Sequence, residues 1–147
     1  MEHLERTLDF DPRAITEDER EYASNSYLMS LFAFLAGLPL PIFNLIATLI
    51  FYMGKRRSTT FVKWHCTQAL ISQLFIFCFN TVGFWWTISI IFQSRELNNY
   101  YIAYIAIIIL INLIEIVSTI YTAVETRKGK HVRWFLFGDI TDNIIKK

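Results

Sequence analysis

The sequence predicts an all-α membrane protein: a four-helix transmembrane bundle whose first two helices are short and joined by a Gly/Pro turn, with an amphipathic C-terminal interfacial helix. Three observations predict it. Of 147 residues, 54% are hydrophobic and 16% aromatic while only 18% are charged, a balance too apolar for a soluble domain of this length. No Asp, Glu, Lys or Arg occurs between positions 27 and 52, where a soluble amphipathic helix would carry a charged stripe. Apolar segments recur at 27–38, 40–53, 69–92 and 101–124.

The chain opens on a strongly acidic stretch. Glu2, Glu5, Asp9, Asp11, Glu17, Asp18, Glu19 and Glu21 face only Arg6, Arg13 and Arg20, although the whole chain has a formal charge of +1. Nothing in it resembles the short apolar core and small-residue cleavage site of a signal peptide, so the first membrane segment is expected to be retained. Residues 1–15 are read as a mobile acidic cytoplasmic tail and 16–147 as a single helical membrane domain. Thr16 followed by Glu19 is a capping-box pattern, which places a helix start near Glu17.

The first two apolar segments flank Gly37-Leu38-Pro39-Leu40-Pro41, and two prolines at that spacing disfavour an uninterrupted helix. One kinked span or a hairpin of two short helices would each satisfy the positive-inside rule. The tight proline turn and a cytosolic start for the capped helix favour the hairpin. Its arms are short enough to be re-entrant or to sit beside a thinned bilayer. Only the third and fourth segments have the ~20 residues that a ~30 Å core requires.

In the third segment, His65, Gln68, Ser72, Ile76, Asn80, Gly83 and Thr87 recur every three or four residues and so share a helix face. The fourth carries a matching stripe of Asn112, Glu115, Ser118 or Thr119, Thr122 and Glu125. A short loop joins the two, so they run antiparallel. Counting inward at ~1.5 Å per residue brings Asn80 and Asn112 to one depth and puts Glu115 within reach of Gln73 or Ser72. His65, Gln68, Ser72, Gln73, Asn80, Asn112 and Glu115 thus form a polar face between helices. Glu115 is the only acid inside an expected span. Such a group is a hydrogen-bonded packing element, part of an ion, proton or substrate pathway, or a contact with a partner subunit. His65 is expected as an uncharged hydrogen-bonding group that, with Gln68, ties the third helix to the loop after Met53 or to the second short helix.

Two basic clusters flank the spans: Lys55, Arg56, Arg57 with Lys63, and Arg127 with Lys128, Lys130 and Arg133. They read as topology signals or lipid-headgroup contacts before nucleic-acid sites, and together with the hairpin they place both chain ends in the cytoplasm. Trp64, Trp134 and Tyr121 near that face, and Tyr100, Tyr101 and Tyr104 near the other, read as interface belts. Over 130–147, apolar residues alternate with charged ones as in a helix lying among headgroups. Cys66 and Cys78 fall ~18 Å apart on one helix, too far for a disulfide.

Three stretches carry a family resemblance: TEDEREYA before the first span, FVKWHCTQAL at the start of the third, and RKGKHVRWFLFGDI after the fourth. In the second, Lys63, Trp64, His65, Gln68 and Ala69 match an aromatic-basic pair followed by His, Gln and Ala. The sequence resembles the small bacterial membrane proteins related to the Tic-twenty subunit of the chloroplast inner-envelope translocon. Phe135 or a neighbour stands where those proteins have a proline. The resemblance implies four helices with both ends in the cytoplasm, and no transferable activity.

No Gly-x-Ser-x-Gly, paired catalytic aspartates, His-Glu-x-x-His or clustered Cys/His ligands occur, so no catalytic residue, metal or cofactor is expected. The sequence therefore points to an accessory or scaffolding subunit of a bacterial inner-membrane complex. Its expected partners are the lipid bilayer and another membrane protein or a second copy, with no nucleic acid. The alternative is an oligomeric pore or carrier element built on Glu115, Asn112 and Asn80.

Overall fold

The computed structural model describes residues 8–35, 41–93 and 96–146. They form five helices, α1 Glu17–Leu35, α2 Pro41–Lys55, α3 Thr60–Gln93, α4 Asn99–Arg127 and α5 Phe137–Ile145, with no strand among the described residues.

Local chemistry sets the helix ends. At the start of α1 the Thr16 N–H donates to Glu19 Oε2 at 2.7 Å and the Glu19 N–H to Thr16 Oγ1 at 3.3 Å, the reciprocal capping box expected from the sequence. Asn98 caps α4 by accepting the Tyr101 N–H at 2.8 Å. The other end of α4 closes on Gly129 at φ 83°, where the Gly129 and Lys130 N–H groups return to the Thr126 and Glu125 carbonyls. That pattern requires a left-handed residue, which glycine supplies without a Cβ penalty.

α1 packs against α2, α3 and α4, and α5 packs against α3. Ser24 donates to the Ala123 carbonyl at 2.8 Å, and Arg127 pairs with Glu21 at 3.0 Å, so α1 runs antiparallel beside the last turns of α4. The start of α1, the start of α3 and the end of α4 therefore lie at one end of the molecule. Burial along α3 follows from this. Phe61, Val62, Trp64 to Ala69, Ser72 and Gln73 are buried, whereas beyond Ile76 only Gly83 is. The far halves of α3 and α4 face each other and otherwise look outward.

These outward faces decide the class. Only 11% of the most apolar stretch of α3 and 6% of that of α4 is buried inside the protein. The core helix of a soluble protein would be mostly covered, so α3 and α4 are read as membrane spans.

The expected bundle of four spans reduces to two long apolar helices with two shorter ones beside them. At ~1.5 Å per residue α2 reaches only ~22 Å, short of a ~30 Å core, and the first third of α1 is charged. The proposed Gly/Pro turn falls largely on residues 37–40, outside the described residues, as do residues 1–7 of the acidic tail. Within the described part of that tail, Ile15 is buried, and Phe10 packs edge-on against Phe61 at 5.3 Å. The third helix begins at Thr60, ahead of the apolar segment 69–92, and carries Lys63, His65 and Gln68 on its first turns. Its first turns are polar because protein, not lipid, surrounds them.

The C-terminal helix is also shorter than 130–147, since residues 130–134 are irregular and only Phe137–Ile145 is helical. Its inner face is polar, with Gly138, Thr141 and Asp142 buried, while Ile140 and Ile144 face outward with Phe135 and Leu136 of the preceding turn. This inversion suits a helix set between a polar protein surface and lipid.

Candidate functional site

The polar residues singled out in the sequence fall into two assemblies. The first is a buried hub where α1, α3 and residues 130–134 meet. Gln68 lies at its centre with 0% exposure. Its Oε1 accepts the Trp134 N–H at 3.0 Å, and its Nε2 donates to the Val132 carbonyl at 3.1 Å and to the Tyr27 hydroxyl at 2.8 Å. Two backbone partners of opposite kind fix which end of the amide points where.

The Tyr27 hydroxyl lies 2.9 Å from His65 Nδ1, and His65 Nε2 lies 3.3 Å from His131 Nδ1. With the hydroxyl donating to Nδ1, His65 carries its proton on Nε2 and directs it at His131. His131 then holds its own proton on Nε2, a buried atom with no hydrogen-bond partner among the described residues. Its ring stands edge-on to Trp64 at 4.2 Å and to Phe10 at 4.8 Å. Burial pushes the His131 imidazole down to about 4.

His65 and Gln68 thus bind α1 and residues 131–134, not the loop after Met53 or α2 as expected from the sequence. The reason is the Gly129 turn, which folds the chain beyond α4 back over the first turns of α3. The interface role expected for Trp64 and Trp134 is corrected for the same reason. Trp64 is fully buried and donates to Asp142 Oδ1 at 2.7 Å, and Trp134 stacks on Tyr27 and donates to Thr122 Oγ1 at 2.6 Å.

The second assembly is a ladder between the antiparallel α3 and α4. Gln73 and Thr119 both donate to Glu115 Oε1. Asn80 and Asn112 exchange reciprocal amide bonds at 3.0 and 2.8 Å. Tyr104 donates to the Phe79 carbonyl at 3.1 Å, and the Thr87 and Tyr101 hydroxyls meet at 3.0 Å. Ser72 turns back to the Ala69 carbonyl of its own helix and takes no part. Gly83 allows the close approach, since a Cβ there would lie 2.5 Å from Ile108 Cδ1.

Of the basic residues, Lys128 and Lys130 both bind Glu125, and Arg133 bridges Asp139 and Asp142 at 2.7 and 2.8 Å. Lys55 sits 3.1 Å over the Tyr22 ring. Arg56 and Arg57 are exposed and Lys63 is half-buried. Cys66 and Cys78 are free thiols, the first buried and the second exposed. Among the described residues, no three His, Cys, Asp or Glu side chains are grouped to hold a metal ion.

Tyr27, His131, Trp134 and Asp142 were missed as members of the hub. Tyr27 lies in an uncharged run that reads as lipid-facing, and His131 and Trp134 lie in a basic stretch that reads as surface. A helix-breaking glycine between two lysines, directly after an apolar helix, was the available sign that the chain turns back.

Residues 18–140 match the MamF/MmsF family, described as the magnetosome magnetite crystal formation protein family, and the chain belongs to it. This overturns the resemblance to the Tic-twenty-related proteins, which the match does not support. The three short stretches behind that resemblance encode a capped helix start and a packed aromatic-polar hub, which are demands of folding and do not identify a family. No curated protein and no solved structure matches the chain.

Proposed function

We propose that this member of the magnetosome magnetite crystal formation family is a non-catalytic accessory or scaffolding protein of the magnetosome membrane. In this role it organises the membrane and its protein neighbours where a crystal forms. The observation that carries the reading is the closure of the polar ladder within one chain. Glu115, Gln73, Asn80 and Asn112 are all engaged between α3 and α4, while the outward faces of those helices are apolar. Interaction with lipid, another membrane protein or a second copy is therefore left to the outer faces and the basic end.

The common end formed by the starts of α1 and α3 and the end of α4 carries Arg56, Arg57, Lys63, Arg127, Lys128 and Lys130. The positive-inside rule supports a cytoplasmic location for that end and for both termini. No cofactor enters the reading.

The competing pore or carrier reading needs Glu115, Asn112 and Asn80 to face a water-filled path, and two long helices with two shorter ones beside them enclose none without assembly. Ion and proton flux through vesicles holding the purified protein tests it. Flux at the level of protein-free vesicles is expected, for the native chain and for Glu115→Gln alike. Flux that depends on Glu115 would overturn the scaffold. In cells that form the crystals, removing the chain should change the crystal size distribution seen by electron microscopy, and Glu115→Gln should restore it. An unchanged distribution on removal would sink the proposed role.

A further inference from the structure

A cavity in the groove between α1 and α4 adjoins a second one on the surface of α1. The larger, of ≈ 520 Å³, has Leu28, Ile120 and Val124 as its apolar wall and Asn25, Arg127 and Lys128 at its rim. The smaller, of ≈ 240 Å³, shares Asn25 and Leu28 and continues along α1 to Phe32. Glu21, Asn25, Leu28 and Phe32 follow one another at helical spacing, so the combined groove runs ~16 Å along α1 at ~1.5 Å per residue. It is polar and basic at the end shared with the other helix termini, and apolar toward the middle of the spans.

We propose that this groove binds one anionic phospholipid, with its phosphate held by Arg127 and Lys128 and an acyl chain laid along Leu28, Ile120 and Phe32. The polarity gradient has the direction of a lipid in its own leaflet, with headgroup at the basic rim and chain toward the bilayer centre. Charge complementarity selects the headgroup. Arg127 uses Nη1 for Glu21 at 3.0 Å, and the rest of its planar guanidinium fork can donate to phosphate oxygens. Lys128 binds Glu125 at 2.6 Å and is more than half exposed, with Lys130 on the other oxygen of the same carboxylate. Counted with the ion-pair partners of Arg127 and Lys128, three cations stand against Glu21 and Glu125, an excess of one positive charge. The site does not depend on the scaffolding role, because it needs only that α1 and α4 meet lipid.

The test uses the full chain purified in mild detergent, incubated with phosphatidylglycerol or phosphatidylcholine, with retained lipid counted by native mass spectrometry. Phosphatidylglycerol should be retained about fivefold better, the preference expected from one basic side chain near an anionic headgroup. Arg127→Gln should erase the preference, and Ile120→Trp should lower retention of both lipids by filling the groove. Glu21→Gln, which removes the competing carboxylate and keeps the arginine, should retain phosphatidylglycerol at least as well as the native chain. If Arg127→Gln fails to fold, Lys128→Gln carries the same expectation. Equal retention of the two lipids by the native chain overturns the proposal, as does a preference that survives the loss of the cation. Retention unaffected by Ile120→Trp, or displacement of the lipid by inorganic phosphate, would equally overturn it.

Discussion

Trp64 in the second turn of α3 donates its indole N–H to Oδ1 of Asp142 in α5 at 2.7 Å, and both side chains are buried. The other Asp142 oxygen takes Arg133 Nη2 at 2.8 Å, so one carboxylate joins α3, α5 and the chain between α4 and α5. A buried carboxylate is tolerable only when paired, and removing one partner leaves the others stranded.

Asp142→Leu should therefore cost more than Trp64→Phe. The first leaves the buried indole N–H without its acceptor and Arg133 with Asp139 alone, a loss of ~3 kcal/mol or more. The second leaves Asp142 paired to Arg133 and should cost ~1–3 kcal/mol. Thermal unfolding in detergent gives the order, and limited proteolysis should cut near 130–136 in the Asp142 variant first.

The Tyr27 hydroxyl serves two partners on α3, His65 and Gln68, which lie 38 and 41 positions away in the chain. Tyr27→Phe keeps the ring and its stacking on Trp134 but strands an amide N–H and an imidazole nitrogen, with an expected loss of ~1–3 kcal/mol. His65→Leu should cost a similar amount, and His65→Gln, which retains a donor and an acceptor, should cost less. Equal loss for Gln and Leu would refute the hydrogen-bond account of His65.

How much of this was legible in the sequence differs between the two assemblies. The Asn80–Asn112 and Gln73–Glu115 pairs follow from helical spacing and a short connecting loop, because antiparallel neighbours fix depth by counting. The capping box of Thr16 and Glu19 was equally local. The hub was not, because its partners are far apart in sequence: Gln68 meets Val132 and Trp134 only after α4 has returned and Gly129 has reversed the chain. Hydropathy also left 60–68 outside the apolar segment without showing what covers it, since a polar turn buried in protein has the same composition as one in water.

Acid should loosen the hub. The His131 imidazole is held down to about 4 from an ordinary value of 6.5 by burial. Between those values the unfolded chain binds more protons than the folded one, so stability is full above about 6.5 and is lost as pH falls through about 4. Glu19, lowered by hydrogen bonds from Thr59 and Thr16, acts in the same direction below its ordinary 4.5. Melting temperature recorded from pH 7 to 4 should fall, and His131→Phe should shrink that fall. A rise on acidification would contradict the neutral, buried His131.

The ladder between α3 and α4 makes the last prediction. Asn80 and Asn112, each partly buried, satisfy each other through two amide bonds between α3 and α4. Asn80→Leu strands the Asn112 carbonyl oxygen, whereas Asn112 Nδ2 keeps its bond to the Ile108 carbonyl at 2.8 Å. Interhelical bonds in membranes average only ~0.6 kcal/mol and reach ~1.7, so the single change should cost about 1 kcal/mol. Replacing both asparagines with leucine removes the stranded group together with the pair, and should recover most of that loss. The coupling comes from a double-mutant cycle of unfolding free energies in detergent. Additive losses in the double variant would mean that the two amides do not depend on each other, and the ladder could not then be what closes the polar faces of α3 and α4.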